Sequence, residues 1–375
     1  MKHTIYALTM FALAACTSPK EKAIDRHALV TRNNPEVTAM DSLSSLSVGN
    51  GEFAYTVDAT GLQTFPEVYK NGVPLGTQSQ WGWHSFGNPE NYKPEEALVE
   101  YDFGHGHKEL YATQPKEPDR AKEASDWYRV NPHRLHLGII GLELENEVRP
   151  SDVQNIQQSL DMWNGIINSR FTLKETPYHI QTVCHPERDM IAARLSAQQP
   201  AGIKFHFPYP TGGHCDDACN WEANDKHSTT LVSEDAQSAV LKRTLDATTY
   251  YVTISWEGAA KLREKSANYF VLTPTDSVFT FTCQFTPQAS ASPILTFAEV
   301  QQASSGHWQN YWTQGAVADF SQCTDVRAKE LERRVVLSQY LLAIQCAGST
   351  PPQETGLTYN SWFGKFHLEM IWWHQ

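Results

Sequence analysis

Between residues 40 and 295 the hydrophobic positions come in short runs rich in Val, Ile, Thr, Tyr and Phe, divided by Gly, Pro, Asn and Asp. That texture predicts half-buried strands separated by turns. The clearest runs cover 46–57, 135–145, 169–173, 179–185, 190–195, 203–207, 239–245, 250–256 and 277–285. The run 250–256 (YYVTISW) is continuous and β-branched, as suits a central strand. So many antiparallel strands predict a large β-sandwich over 40–295. Near Pro293 the period changes. Val300, Ala303, Ser304, Trp308, Tyr311 and Trp312 recur at helical spacing, and after Gly315 the segment 325–345 is the strongest helix in the chain. Leu331, Val335, Ser338 and Leu342 form one stripe on it, with Leu337, Leu341 and Ile344 beside them. Thr324 or Asp325 can cap its start, and Gly348 with Pro351-Pro352 ends it. The expected order is a sandwich (40–295), a helical linker (296–348), and the beginning of a further helical unit (349–375).

The first residues have a different pattern. A basic start, Met1-Lys2-His3, precedes an apolar run from Ile5 to Ala15 that is too short to span a bilayer. Leu13-Ala14-Ala15-Cys16 resembles the bacterial lipobox, in which the cysteine takes a diacylglyceryl group and becomes the new N-terminus. Residues 1–16 are therefore expected to be a lipoprotein signal, with Cys16 as the lipid attachment. Thr17 stands where an Asp commonly retains such proteins in the inner membrane, so the outer membrane of a Gram-negative cell is the expected location. Residues 17–39 lack hydrophobic periodicity and read as a solvated spacer.

The net charge of −12, without a Lys/Arg run, argues against nucleic acid as a partner. The load of 11 Trp, 15 Tyr and 16 Phe suits glycan binding, because rings stack on sugar C–H faces, although sandwich cores also use aromatics. Of the 7 cysteines, six follow Cys16. Cys215 and Cys219 bracket Asp-Asp-Ala in a polar loop, and an exported protein permits a local disulfide there. The competing use of that loop, a metal site from His214, Asp216 and His227, lacks a recognised ligand spacing. No metal or other cofactor is expected.

The segment 351–374 (PPQETGLTYNSWFGKFHLEMIWWH) concentrates polar groups among rings. Rings for sugar faces and charged groups for hydroxyls are what a carbohydrate site needs. Trp362 and Trp372 are candidates for a stacking floor, His367 and Glu369 for hydrogen bonds to hydroxyls, and Lys365 for orienting a nearby carboxylate. The alternative is that Trp362, Phe366, Trp372 and Trp373 are packing residues and His374 a buried, satisfied histidine. On a straight helix His367, Met370, Ile371 and His374 share one face, and Glu369, Trp372 and Trp373 lie toward another. A single pocket therefore requires the helix to begin near Leu368, or some of these residues to be structural.

A sandwich, a helical linker and a helical unit, in that order, resemble the (α/α)6-barrel, or six-hairpin, glycosidases, including glycoside hydrolase families 65 and 95 and related Bacteroides-type enzymes. Val48-Gly49-Asn50-Gly51-Glu52-Phe53 resembles their GNG turn. The stretch 161–171 followed by His185-Pro186-Glu187-Arg188-Asp189 is similar to their sandwich strands, and SWFGKFHLEM (361–370) to their first barrel segment. Where family 65 phosphorylases carry a Trp-Asp pair, this chain has His367 and Glu369. The resemblance implies a glycoside hydrolase acting on oligo- or polysaccharide, with its catalytic carboxylates on later barrel loops, beyond Gln375. The apolar end Ile371-Trp372-Trp373-His374-Gln375 likewise gives the expectation of a truncated chain, inactive alone. A non-catalytic glycan-binding surface lipoprotein and a family-65-like phosphorylase are the alternatives. Protease and esterase chemistry lack their motifs here, since neither G-x-S-x-G nor H-E-x-x-H occurs.

Overall fold

The computed structural model describes residues 23–290, 293–370 and 372. Cys16 and the signal segment around it, and Trp373, His374 and Gln375, lie outside the described residues.

Alternation builds the largest element. In Thr248–Glu257 the side chains of Tyr250, Val252, Ile254 and Trp256 are buried, and the last three lie opposite Phe285, Cys283 and Phe281 of Val278–Thr286. This pair sits inside a nine-stranded antiparallel sheet. Its order in space is Glu36–Val37, Val153–Asp161, Ile166–Leu173, Thr176–Cys184, Met190–Ser196, Val278–Thr286, Thr248–Glu257, Ser238–Leu245 and His227–Glu234. The facing layer has two parts. A four-stranded sheet runs Ala260–Ser266, Tyr269–Pro274, Gly202–His206, Ile139–Glu143, and a three-stranded one Leu46–Gly49, Phe53–Val57, Thr77–Ser79. The Gln63 amide and the Tyr55 hydroxyl both donate to the Ile140 carbonyl and tie the two parts together (2.8 and 2.6 Å). Rings bridge the layers, with Phe53 stacked on Phe285 at 5.8 Å and Phe205 edge-on to Phe281 at 6.1 Å. The predicted sandwich is present, and each predicted run lies on strand. The run 46–57 is a hairpin around the Gly49-Asn50-Gly51 turn. Val153–Asp161 and His227–Glu234 carry Gln, Ser, Thr and Asn on their outward positions, which hides their alternation.

Five α-helices are described: α1 Arg26–Thr31, α2 Pro66–Tyr69, α3 Arg120–Val130, α4 Phe297–Thr313 and α5 Ala328–Gln345. Thr296 and Glu299 close a reciprocal capping box at the start of α4. Its buried side of Phe297, Val300, Ser304, Trp308 and Trp312 lies on the outer face of the large sheet. The Trp312 indole donates to the Met162 carbonyl at 2.7 Å, and Trp308 meets Tyr340 of α5 at 4.5 Å.

Two expectations are corrected here. The α5 stripe Leu331, Val335, Ser338, Leu342 does not form the packed side; Leu331 is half exposed, and the buried positions are Ala328, Glu332, Val336, Tyr340 and Ile344. Glu332 misleads the pattern, because a buried carboxylate reads as a surface residue. It is buried because Arg32 grips it at 2.9 and 2.8 Å while the Asn33 amide and the Phe320 N–H also donate to it. The spacer reading of 17–39 also fails from residue 25 onward. Asp25 caps α1, Leu29 and Val30 are buried, and Glu36–Val37 joins the large sheet. Arg26 donates to the carbonyls of Trp312, Gln314 and Gly315 at the end of α4. Among the described residues no helix is long and apolar enough to cross a membrane.

Candidate functional site

The end of α5 rests on the Gly49-Asn50-Gly51 turn. The Gly51 amide donates to the Ile344 carbonyl at 3.1 Å, and Asn50 folds its own loop by accepting from the Glu52 and Phe53 amides. The chain then runs back along the sandwich with no α-helix over 349–370. Gln345 holds this return by accepting from the Leu357 and Thr358 amides (2.8 and 3.1 Å) and donating to the Thr358 hydroxyl. Gln353 gathers the Gly356, Leu357 and Tyr359 carbonyls. Asn360 then laces the strap to the 211–219 loop: its carbonyl accepts from the Cys215 amide at 2.8 Å, and its side chain donates to the Gly213 carbonyl at 2.9 Å.

This lacing brings residues distant in sequence around Trp362. The Trp362 amide donates to His214 Nδ1 at 2.8 Å, so that nitrogen is an acceptor and the proton of the neutral ring belongs on Nε2. The Trp362 ring is 4.7 Å from the His214 ring and 5.2 Å from the His367 ring, and the Arg129 guanidinium lies over it at 5.2 Å. Trp362 and Phe363 hold φ values of +48° and +62°. A left-handed backbone at two bulky residues costs of order 1 kcal/mol or more each and persists only where neighbours enforce it. The His214 acceptor, with His367 and Arg129 flanking the ring, holds it here.

Lys365 does not orient a carboxylate, contrary to expectation. Its ammonium donates to the carbonyls of Tyr128, Arg129 and Asn131 (3.1, 2.7 and 3.1 Å), the open end of α3. Burial, and then the neighbouring Arg129 charge, push its pKa down. The effect is to fix the α3 terminus that presents Arg129. Glu369 is exposed, with one oxygen 3.6 Å from His367 Nδ1. Trp372 is 79% exposed and makes no ring contact among the described residues, so it forms no floor with Trp362. Of the five predicted binding residues, Trp362 and His367 meet, Glu369 stands at their edge, Lys365 lies beneath, and Trp372 is apart. Arg129 is absent from the sequence expectation, and His214 enters it only as a metal ligand. Neither carries a local signal, since each is brought in from more than a hundred residues away.

The expected Cys215–Cys219 disulfide is not formed. Cys215 occupies the exposed outer tip of the loop at φ +61°, with its sulfur 3.4 Å from His214 Nδ1. Cys219 has turned into a short strand pairing with Tyr209–Pro210, where its thiol donates to the Asp217 carbonyl at 2.9 Å. His227 is drawn away from the loop by the buried Arg243, which donates to it at 2.7 Å. Among the described residues no three His, Cys, Asp or Glu side chains gather as a cation would require.

A second polar centre lies under Ser79-Gln80-Trp81. The Ser79 hydroxyl and the Trp81 indole both donate to Asp189 Oδ2 (2.5 and 2.6 Å), and burial pushes that carboxyl up to about 6. His84 Nε2 lies 3.1 Å from Asp246, which also accepts from the Tyr209 hydroxyl at 2.7 Å. The run WGWH at 81–84 is the signal that could have pointed to this centre.

No family model matches this chain, and no curated protein sequence matches it. Solved structures do match. A bacterial glucoamylase complexed with acarbose is 10% identical, with a TM-score of 0.38, over 83% of this chain and 42% of its own. A protein proposed as a kojibiose phosphorylase, from the human microbiome, is 9% identical with a TM-score of 0.34, over 78% of this chain and 35% of its own. A family GH92 α-mannosidase from Bacteroides thetaiotaomicron is 9% identical with a TM-score of 0.32, over 88% and 44%. This chain thus spans between a third and a half of each.

Proposed function

We propose that the surface around Trp362 binds carbohydrate, and that the chain serves a glycoside-hydrolysing enzyme tethered at the outer membrane through a lipid on Cys16. The observation that carries the first part is the arrangement at Trp362 itself. A half-buried indole is held in a costly backbone conformation between two imidazoles, with a carboxylate at the edge. An apolar wall beside convergent donors and acceptors is the composition that sugar recognition uses. His214 Nε2–H can donate to a hydroxyl, and Glu369 can accept from one. Glycosidic hydrolysis needs two carboxyl groups across the bond. In this reading Glu369 binds, and the acid and base come from another part of the enzyme.

Titration of the full chain with oligosaccharides, followed by calorimetry or tryptophan fluorescence, tests the binding. Trp362→Ala should weaken it about tenfold or more, the equivalent of 1.4 kcal/mol, while Trp372→Ala leaves it unchanged. Equal affinity in both variants, or no binding by the parent chain, would sink the reading. The tether is tested separately: Cys16→Ala should move the protein from the membrane to the soluble fraction of expressing cells, and retention on the membrane counts against it.

A further inference from the structure

We propose that the Trp362 surface selects an anionic sugar, one bearing a carboxylate or a sulfate ester, and that Arg129 is the residue that holds the anion. The inference rests on the carbohydrate reading above and names the class of sugar.

Arg129 differs from the other arginines in its accounting. Arg26, Arg134, Arg149 and Arg188 donate to carbonyls, and Arg32, Arg120, Arg327, Arg333 and Arg334 to carboxylates. Arg243, fully buried, is saturated by Thr229, Asn268, Pro208 and His227. Among the described residues four arginines have no hydrogen-bond acceptor: Arg170, Arg194 and Arg263 stand exposed in solvent, whereas Arg129 is partly buried against Trp362 and Phe363. Taking a guanidinium partly out of water without an acceptor is costly, and an incoming anion would relieve that cost. Arg129 lies over these rings at 5.2 and 5.9 Å and its N–H groups have no acceptor among the described residues, so its fork can take a carboxylate or sulfate with two parallel hydrogen bonds.

The surrounding charges agree. Lys365 adds a second cation next to Arg129 at the end of α3. Three nearby acidic groups are held by other donors, and Glu369 stays at the edge of the site. Asp216 accepts from the Ala218 amide, Asp217 from the Cys219 amide and the Trp221 indole, and Glu354 from the Ser361 hydroxyl. Glu369 faces His367. On a chain with a net charge of −12, an anionic ligand gains nothing from the long-range field. Its affinity must come from this local cationic spot, and therefore must weaken as salt rises.

The test compares three ligand sets on the full chain: neutral, uronate-containing and sulfated oligosaccharides of matched length, at about 0.02 and about 0.3 M salt. One of the two acidic sets is expected to bind about tenfold or more tighter than the neutral set at low salt, and which one identifies the anion. Arg129→Gln should bring the acidic-to-neutral affinity ratio close to one, and Arg129→Lys should restore only part of it, because an ammonium lacks the fork. Thermal melts of both variants establish that they are folded. An acidic-to-neutral ratio near one in the parent, or a ratio that survives Arg129→Gln, overturns the proposal. If neutral sugars bind in a Trp362-dependent way under either of those outcomes, the carbohydrate reading stands and only the anion selectivity falls. Failure of all three sets to bind removes both.

Discussion

Asp189 holds two strong donors on a single oxygen and still keeps its proton to about pH 6, because burial outweighs the hydrogen bonds from Ser79 and Trp81. The sign of its contribution follows. Its pKa in the folded chain lies above the ordinary 3.8, so below about pH 4 the carboxyl is protonated in both states and costs nothing. As pH rises through about 6 the native group must ionise in a dry site, and stability is lost. Asp189→Asn keeps an oxygen that accepts from both donors and removes the ionisation. It should stabilise the chain at pH 7 by roughly 1–3 kcal/mol and have little effect at pH 4, as read from urea denaturation at both values. A loss of stability at pH 7 would show that the carboxylate is favourable there. Lys365 marks the limit of what single residues reveal in sequence. Its presence among rings was visible, but its partners are three carbonyls at the end of a helix more than two hundred residues earlier, and no local pattern encodes that.

At the scale of elements, the Gly49-Asn50-Gly51 turn was legible as a turn, yet its partner was not. Its glycines are needed because α5 ends against them. A Cβ on Gly51, already at φ +94°, would lie 2.9 Å from the Ala347 backbone just past α5, and one on Gly49 would lie 3.0 Å from the Ile344 carbonyl of α5 and 2.6 Å from the Phe53 carbonyl of its own hairpin. Gly51→Ala therefore combines left-handed strain with a backbone clash, and should cost about 2–4 kcal/mol. The same turn leads into Glu52, which accepts from the Ser349 amide and, through its carbonyl, from the amide of Gln80, whose side chain donates to the Ser349 hydroxyl. Loosening it should therefore also free the 349–367 strap that carries Trp362. Limited proteolysis should cut that strap faster in Gly51→Ala than in the parent, at a denaturant concentration where both remain folded. Equal cutting rates would mean the strap is anchored by Gln345 and Asn360 alone. The buried face of α5 departs from its apolar stripe for a related reason: an ion pair supplied by Arg32 of another element lets Glu332 sit on the buried face, and periodicity counts only the residues of the helix itself.

For the whole molecule, period-two alternation was enough to reveal the sandwich, since hydrophobic layers must face each other. The interior polar groups were not readable, and they set the response to acid. Burial pushes the imidazoles of His133, His206 and His227 down to about 4. His133 is fully buried between His84 and Phe86, where the Val130 carbonyl gives its protonated form some support. Between about pH 4 and 6.5 the unfolded chain binds more protons at these three positions than the folded one. Their stabilisation is complete above about 6.5 and is lost as pH falls toward 4. Asp189 and Asp58, both pushed up by burial, act in the opposite direction, but burial also lowers His84, His136, His179, His185 and His307, so the imidazoles outnumber them. The melting temperature should therefore fall steadily from pH 7 to pH 4.5. His133→Leu, which replaces a buried ring lacking well-formed hydrogen bonds with an apolar side chain, should flatten the fall by an amount of order 1–3 kcal/mol. A melting temperature independent of pH over that range, or a His133→Leu variant as acid-sensitive as its parent, would mean that these imidazoles reach water before the fold gives way.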